Sequence, residues 1–252
     1  MSGTSVLALR LAGPLQSWGA SSRFTRRTTE SAPTKSGVIG LLAAAAGIER
    51  GDDARLAPLA ALRFGVRIDQ PGTRIRDFHT AHHAVTGASM PLSERFYLAD
   101  AVFLAAVEGD HTLLTGLRDA LRAPVYAPYL GRRSCPPAGR VDLGLHEGAR
   151  LHDVLQSMPW QASAWYRRGN RSPQALTVLR EAGPGESVQT ADVQRDQPVS
   201  FNAAHRRHAL RTVVTLPVIP GLAAAGGSRD MHDPYAALDA FDAVEALEDE
   251  RP

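Results

Sequence analysis

The chain's single lysine marks the first segment whose residue types could hold a charged ligand. Lys35 follows Pro33 and Thr34 and precedes an apolar run over residues 38–46, which ends at Gly47. Pro and Thr before such a run, and Gly after it, are typical signals of helix start and stop. Backbone N–H groups at a helix start have no partner inside the helix and attract anions. The segment therefore predicts a site for a phosphate-bearing ligand.

The nucleotide-binding P-loop does not explain this segment. That motif needs glycine directly before the lysine and another glycine five residues before the first, where this chain has Thr34 and Thr29. The run Gly37–Gly40 spells the GXXG of KH domains, but four letters match by chance. These glycines suit close packing or close approach of an RNA backbone.

Histidines offer two further chemistries. Five of them lie in two short groups: His79, His82, His83, His205 and His208. No accompanying cluster of Cys, Asp or Glu has metal-ligand spacing, so we expect no metal and no cofactor. A histidine can also act as general base in RNA cleavage, and His79 is the nearest candidate, although nothing marks a second catalytic group.

Aromatic and basic residues alternate in a Pro/Gly-rich stretch over residues 124–139, which contains Tyr126, Tyr129, Arg132 and Arg133. Such a mixture can stack on and clamp single-stranded nucleic acid. It is equally typical of a rigid surface loop packed by its tyrosines. The neighbouring Cys135 could have a lowered pKa beside these arginines, but a structural cysteine is the simpler interpretation.

Charge is unevenly distributed. Residues 228–252 contain eight acidic residues and two arginines, a net charge of −6, which leaves +8 on the other 227 residues. A basic body with an acidic tail indicates a polyanion partner, or else a solvated tail on an ordinary surface. The preference for Arg over Lys suits bidentate phosphate contacts.

Length and composition set the class of protein. A chain of 252 residues, 44% of them apolar, can bury a full core. No apolar run approaches the ~18–20 residues of a membrane span, and the N-terminus lacks signal-peptide features. A single cysteine cannot form an internal disulfide, so we expect a cytoplasmic protein.

Secondary-structure signals in the first half alternate between strand and helix. We predict strands at 5–11, 62–69, 96–107 and 140–145, and helices after Lys35 and after an N-cap at Thr112. The strand at 62–69 alternates so cleanly that we expect one face to be exposed. The polar segment 73–95 is predicted to be a protruding hairpin or loop. This order gives the βαββαβ arrangement of a ferredoxin-like fold.

The second half carries weaker signals. Residues 151–158 are predicted as a short helix and 176–179 and 211–219 as strands, with a turn-rich stretch at 183–207 between them. Residues 221–227 are predicted to be a flexible linker. The acidic tail beyond it has apolar residues every third position, which favours either a docked helix or disorder. We therefore divide the chain into a palm at 1–145 with an insertion near 73–95, a β-rich part at 146–220 and a tail at 221–252.

Four ordered blocks within the first ~140 residues together resemble one family. These blocks are Leu9–Gly19, Pro33–Leu42, Asp77–Thr80 and Tyr129–Pro136. They resemble the CasD subunits of the type I-E CRISPR surveillance complex, Cascade. The second half agrees with that family in length and strand content, and the tail extends beyond it.

The resemblance implies an α+β protein with a ferredoxin-like, RAMP-type palm and an inserted β-hairpin thumb. It implies a non-catalytic subunit that grips the crRNA 5′ handle, caps the CasC filament and contacts CasA, meeting target DNA only through the assembled complex. The alternatives are a metal-independent endoribonuclease acting on repeat RNA and a purely protein-binding scaffold. The residues expected to contact RNA are Gly13, Pro14, Gln16, Ser17, Trp18, Arg26, Arg27, Thr34, Lys35, Ser36, Gly37, Arg74, Arg76, His79, Thr80, Tyr129, Arg132, Arg133 and Ser134.

Overall fold

The structure is a computed structural model that describes residues 3–19, 26–170, 175–183, 186 and 191–220. Helices and strands are mixed along the chain, which confirms the predicted α+β class. The strands are β1 Thr4–Ala12, β2 Leu15–Gln16, β3 Arg26–Arg27, β4 Arg63–Gln70, β5 Thr73–His79, β6 Ser93–Ala99, β7 Val102–Asp110, β8 Asp142–Glu147, β9 Leu176–Arg180, β10 Asp192–Ser200 and β11 Arg207–Val218. The helices are α1 Lys35–Ala45, α2 Asp53–Ala60, α3 His111–Arg122, α4 Leu151–Ser157 and α5 Ala164–Gly169.

Seven strands form the main sheet, in the order β10-β11-β9-β4-β7-β1-β8. Each neighbouring pair is antiparallel. The interior strand β7 lies between β4 and β1 and is buried along most of its length. Strands β9 to β11 continue the same sheet from the edge of β4, so the β-rich C-terminal part shares its backbone hydrogen bonds with the rest of the sheet.

Both faces of the main sheet are covered. On one face, alternate β1 residues such as Leu7 and Leu9 pack in a cluster with α1, α2 and α3. On the opposite face, the intervening residues Val6 and Ala8 pack with α4. The period of two along β1 therefore supplies two separate cores.

Strand β4 is buried on both sides, so the expectation that it exposes one face was wrong. Arg67 is fully buried and donates to both carboxylate oxygens of Asp69 at 2.7 and 2.8 Å. Its guanidinium also donates to three backbone carbonyls that follow or end α4. The polar half of the alternation is thus an internal ion pair, because α4 covers the face that the sequence pattern left to solvent.

The apolar run 96–107 is two strands rather than one. Asp100 has a positive φ of 57° and forms the turn between β6 and β7. Asn and Asp tolerate this left-handed conformation better than most side chains. Strand β6 consequently leaves the main sheet and joins a second one, in which it pairs with β5 on one side and with β2 and β3 on the other.

Other differences are local. The N-cap of α3 is Asp110, whose carboxylate accepts from the Leu113 N–H, and not Thr112. Strand β10 lies in the stretch expected to be turns, and α2 and α5 lie where no helix was predicted. The link and acidic tail at 221–252 fall outside the described residues. No helix in the described ranges is both long and apolar enough to cross a membrane.

Candidate nucleic-acid interface

Lys35 begins α1 as predicted, but its side chain lies inside the protein. The residue is 3% exposed, and Lys35 Nζ lies 2.9 Å from a carboxylate oxygen of Glu181. Its backbone N–H donates to Asp196 Oδ2 at 2.8 Å, and the Gly37 N–H donates to Thr34 Oγ1. The expectation of free amides and an accessible cation at this helix start was therefore wrong, because Asp196 of β10 and Glu181, just after β9, already fill the anion position.

These groups belong to a buried network of two cations and two carboxylates. Asp196 also accepts from Arg211 on β11, and Glu181 lies near both Lys35 and Arg211. Burial lowers the pKa of Lys35, and the attraction of Glu181 opposes that shift. The network ties the start of α1 to β10, to β11 and to the residue that follows β9.

The Gln16–Trp18 block is also internal. Trp18 is fully buried and its indole N–H donates to Gln16 Oε1, while the Gln16 amide donates to the carbonyls of Leu11 and Ala101. Ser17 is 3% exposed and donates to the Phe96 carbonyl. The indole N–H, the Gln16 amide and the Ser17 hydroxyl all have protein partners, so these side chains hold β2 against β6 rather than meet solvent.

Two glycines in the recognised blocks permit close packing. A Cβ on Gly37 would lie 2.8 Å from the Trp18 ring. Gly131 has a φ of +83°, and a Cβ there would lie 1.8 Å from the Ser17 carbonyl oxygen, a distance that no rearrangement of a side chain relieves. Gly37 therefore serves packing, one of the two roles the sequence allowed. We call the buried residues Gln16, Ser17, Trp18, Thr34, Lys35 and Ser36, together with the two glycines that make room for them, Gly37 and Gly131, the buried base.

Exposed cations gather on the second sheet and beside it. Arg26 and Arg27 form β3, which pairs with Glu94 and Arg95 of β6, and β5 brings Arg74 and Arg76 to the other side of β6. Arg132 reaches this sheet from the 124–139 stretch and donates to the Arg27 carbonyl at 3.0 Å. We call the six residues Arg26, Arg27, Arg74, Arg76, Arg95 and Arg132 the arginine ribbon. Strand alternation places Arg26, Arg74 and Arg76 on the face of the sheet that carries Phe96, and places Arg27, Arg95 and Arg132 on the opposite face with Tyr97, where Arg95 and Arg132 are half-buried.

Aromatic rings lie beneath four of these guanidinium groups. Arg26 and Arg74 lie 5.3 and 4.6 Å from the centroid of the Phe96 ring, on either side of β6 in the sheet. Arg76 lies 4.8 Å from Phe78, and Arg132 lies 4.6 Å from Tyr97. Cation–π contact orients each guanidinium plane, leaving it able to contact phosphate or stack on a base.

The ribbon is only partly neutralised. Its acidic neighbours are Glu94, which contacts Arg26 at 3.9 Å and Arg76 at 3.4 Å, and Asp77 on β5. Arg95 Nε and Arg132 Nη1 are shielded from solvent and have no hydrogen-bond partner in the described structure. Because these two nitrogens have almost no accessible surface, an incoming ligand would contact the exposed guanidinium groups of Arg26 and Arg76 instead.

His79 lies at the end of β5, where its Nε2 is 2.7 Å from Asp77 Oδ2. A carboxylate that orients an imidazole is one part of a general-base arrangement. Both side chains are partly exposed, at 37% and 53%. The pair therefore lies at the surface, at the end of the arginine ribbon.

The remaining residues that were predicted to contact RNA divide into buried and exposed positions. Gly13 is buried, whereas Pro14, Thr80, Arg133 and Ser134 are exposed and Tyr129 is half-buried. Cys135 is buried and its pKa is raised by that burial, which fits a structural thiol. No group of three or more metal-ligating side chains occurs among the described residues.

The residues that sequence reasoning missed are Arg95, Phe78 and Phe96. The pairing of β5 with β6 places Arg76 opposite Phe96 and Phe78 opposite Glu94, on one face of the hairpin. An alignment of the two strands about the 80–92 loop would have placed these side chains together.

Residues 6–214 match the model of the family described as CRISPR-associated protein (Cas_Cas5). The chain belongs to this family. A curated member, CRISPR system Cascade subunit CasD of Escherichia coli strain K12, is 37% identical over 158 aligned residues, covering 56% of this chain and 70% of that protein. The match confirms the resemblance on which the sequence interpretation depended.

Two solved structures agree with the assignment to the Cas5 family. One, described as a crystal structure of a Cas protein, has a TM-score of 0.66 at 35% identity and covers 88% of this chain and 98% of its own. The other, from a CRISPR RNA-guided surveillance complex, has a TM-score of 0.65 at 32% identity and covers 89% and 95%.

Proposed function

We propose that this Cas5 family member is a non-catalytic RNA-binding subunit of a Cascade-type surveillance complex, and that its arginine ribbon binds the crRNA 5′ handle. The observation that carries the proposal is the alternation of guanidinium groups and aromatic rings across β3, β6 and β5. Phosphates would contact the guanidinium groups, and unstacked bases would lie against the planar surfaces.

The architecture suits this role. The element order β1-α1-β4-β7-α3-β8, with the strands arranged β4-β7-β1-β8, fits a ferredoxin-like palm. We propose that β5, the 80–92 loop and the first part of β6 are the thumb. Exposed apolar side chains on this hairpin, including Val85, Met90 and Leu92, suit contact with neighbouring protein subunits.

Specific partners follow from the same assignment. We propose that the protein caps a CasC filament, contacts CasA and meets target DNA only through the assembled complex, in the cytoplasm. The buried base would hold the thumb and the 124–139 stretch in place, while Arg133, Ser134, Thr80 and Pro14 supply further exposed positions for RNA.

The decisive experiment compares two double variants with equal loss of charge. Arg74→Ala/Arg76→Ala removes two ribbon residues, and Arg50→Ala/Arg55→Ala removes two exposed arginines near the α1–α2 connection. We expect only the first to weaken binding of 5′-handle RNA, with the salt slope reduced by about 1.4 for two lost phosphate contacts on a single strand. Equal losses in both variants would show that net charge, not this surface, binds RNA.

A second function is favoured by one observation, the Asp77–His79 pair. A metal-independent ribonuclease would use His79 as general base on repeat RNA. Incubating the protein with repeat RNA in chelator distinguishes the two. Single-site cleavage that His79→Ala abolishes would contradict the non-catalytic proposal, whereas intact RNA together with handle binding would support it.

A further inference from the structure

Strand β11, the last strand described, ends at one edge of the main sheet. The second sheet, which carries the arginine ribbon, begins at the same edge. At the end of β11, Val218 pairs with Leu176 of β9, and the next β9 residue, Thr177, pairs with Ile68 near the end of β4. Strand β5 starts three residues after β4 ends. Since β11 and β4 are two strands apart, their ends are separated by about 10 Å.

The sequence beyond this point has the charge and pattern that the ribbon attracts. Residues 228–252 have a net charge of −6. Four acidic residues each follow an apolar residue at an interval of three, in the pairs Leu238–Asp239, Phe241–Asp242, Val244–Glu245 and Leu247–Glu248. Carboxylates can pair with the guanidinium groups of Arg74 and Arg76, and apolar side chains can contact the exposed Phe78 on the same face of β5.

The connection is long enough. Eight residues, 221–228, can span up to about 26 Å when extended. A segment tethered by so short a connection has an effective concentration in the millimolar range, so even weak pairing would occupy the ribbon.

We propose that the acidic C-terminal segment binds the arginine ribbon of its own chain and competes there with RNA. This inference rests on the proposed function, because it uses the same surface. The consequence is selectivity for the handle. An RNA that makes only phosphate contacts must first displace the tail carboxylates from the same guanidinium groups, so its net binding free energy is small. A handle that also stacks on the ribbon displaces the tail and leaves it free.

The test keeps the chain at full length. All eight tail acids are changed to their amides, Asp to Asn and Glu to Gln, and binding of an oligouridylate and of 5′-handle RNA is measured. In about 50 mM salt we expect the neutralised tail to raise oligouridylate affinity roughly tenfold, and the difference to shrink in about 200 mM salt, where the ionic contacts weaken. Affinities equal within about twofold at low salt would overturn the inference, since a competing polyanion must be visible there.

A second measurement separates docking from general repulsion. A labelled peptide of residues 228–252 is added to the neutralised-tail chain. It should bind, and binding should be lost in the Arg74→Ala/Arg76→Ala background but kept with Arg50→Ala/Arg55→Ala. Equal binding of the peptide in both backgrounds, or no binding in either, would contradict docking on the ribbon.

The outcomes also distinguish the two proposals. If neither the full chain nor the neutralised-tail chain binds handle RNA, the proposed function fails. If both bind RNA with equal affinity and the peptide does not bind, only the tail inference fails.

Discussion

The buried base and the arginine ribbon adjoin each other and have opposite characters. In the base, Lys35 and Trp18 are at most 3% exposed, and their polar atoms are paired within the protein. In the ribbon, the Arg26 and Arg76 side chains are 67% and 53% exposed. The recognisable sequence blocks fall mostly in the base, whereas the surface suited to a ligand is mostly outside them.

The difference teaches that a recognisable block need not be a contact surface. Gly37 makes room for the Trp18 ring, and Gly131 allows its backbone to approach that of Ser17. Arginines on an exposed strand only need to be near an aromatic ring, so many arrangements would serve. At the base, the residue type is limited by how closely the chain packs. At the ribbon, it is limited only by the need for a cation near an aromatic ring.

The largest effect that we expect is a loss of stability when the buried base is disrupted. Trp18→Ala should lower the free energy of unfolding by about 3–5 kcal/mol, because it removes a fully buried ring and leaves Gln16 Oε1 without its donor. Urea denaturation measures the loss. The matched control is Trp165→Ala on α5, where the side chain is 55% exposed. A loss no greater than that of the control would place Trp18 at the surface.

Lys35→Met should destabilise the protein without changing how RNA binding depends on salt. Removing the cation leaves Glu181 without its closest partner, a cost of about 3 kcal/mol for a buried pair. The salt slope of handle binding should equal that of the wild type. A slope reduced by about 0.7 would mean that Lys35 does contact a phosphate. Arg55→Met serves as the exposed control.

Phe96→Leu separates stacking from charge on the ribbon. The change removes the ring next to Arg26 and Arg74 but keeps both cations. We expect handle affinity to fall about fivefold, or ~1 kcal/mol, with an unchanged salt slope. Arg26→Ala, by contrast, should lower the slope. An equal slope change in both variants would mean that the ring acts only by holding the sheet together.

The smallest effect is a pH dependence of the base. Burial lowers the pKa of Lys35 below 10.5, so between the lowered pKa and 10.5 the unfolded chain holds more protons at this site than the folded chain. The free energy of unfolding should then rise with pH across that window. We expect the stability difference between wild type and Lys35→Met, followed by urea denaturation at alkaline pH, to grow. A shrinking difference would show that the attraction of Glu181 outweighs burial.

Much of the fold could be predicted from local patterns. The strands β1, β4, β8 and β9 and the helices α1, α3 and α4 lie where periodicity and capping signals placed them, within a few residues. The turn at Asp100 was missed because two strands of different sheets meet there without a glycine or proline. The burial of Arg67 and Asp69 was missed because alternation cannot report which elements cover the polar face.

The site was less predictable than the fold. The sequence identified Arg26, Arg27, Arg74, Arg76 and Arg132, but nothing in their spacing placed them on one sheet. Lys35 was misinterpreted because its partners, Glu181 and Asp196, lie more than 140 residues away in the chain. Local signals describe a helix start, and only the tertiary structure decides whether an external anion can reach it.

The hydrogen bond from the Lys35 N–H to Asp196 has a consequence for synthesis. These residues are 161 positions apart, so α1 emerges from the ribosome long before the carboxylate that accepts from its first N–H. The same delay applies to the partner of the Lys35 ammonium on the chain after β9. Thr34 can cap the helix locally, but nascent chains would carry the unpaired Lys35 N–H and its unpaired ammonium for much of translation. Folding of the N-terminal half should therefore reach completion only when β9 to β11 have been made, near the end of the chain.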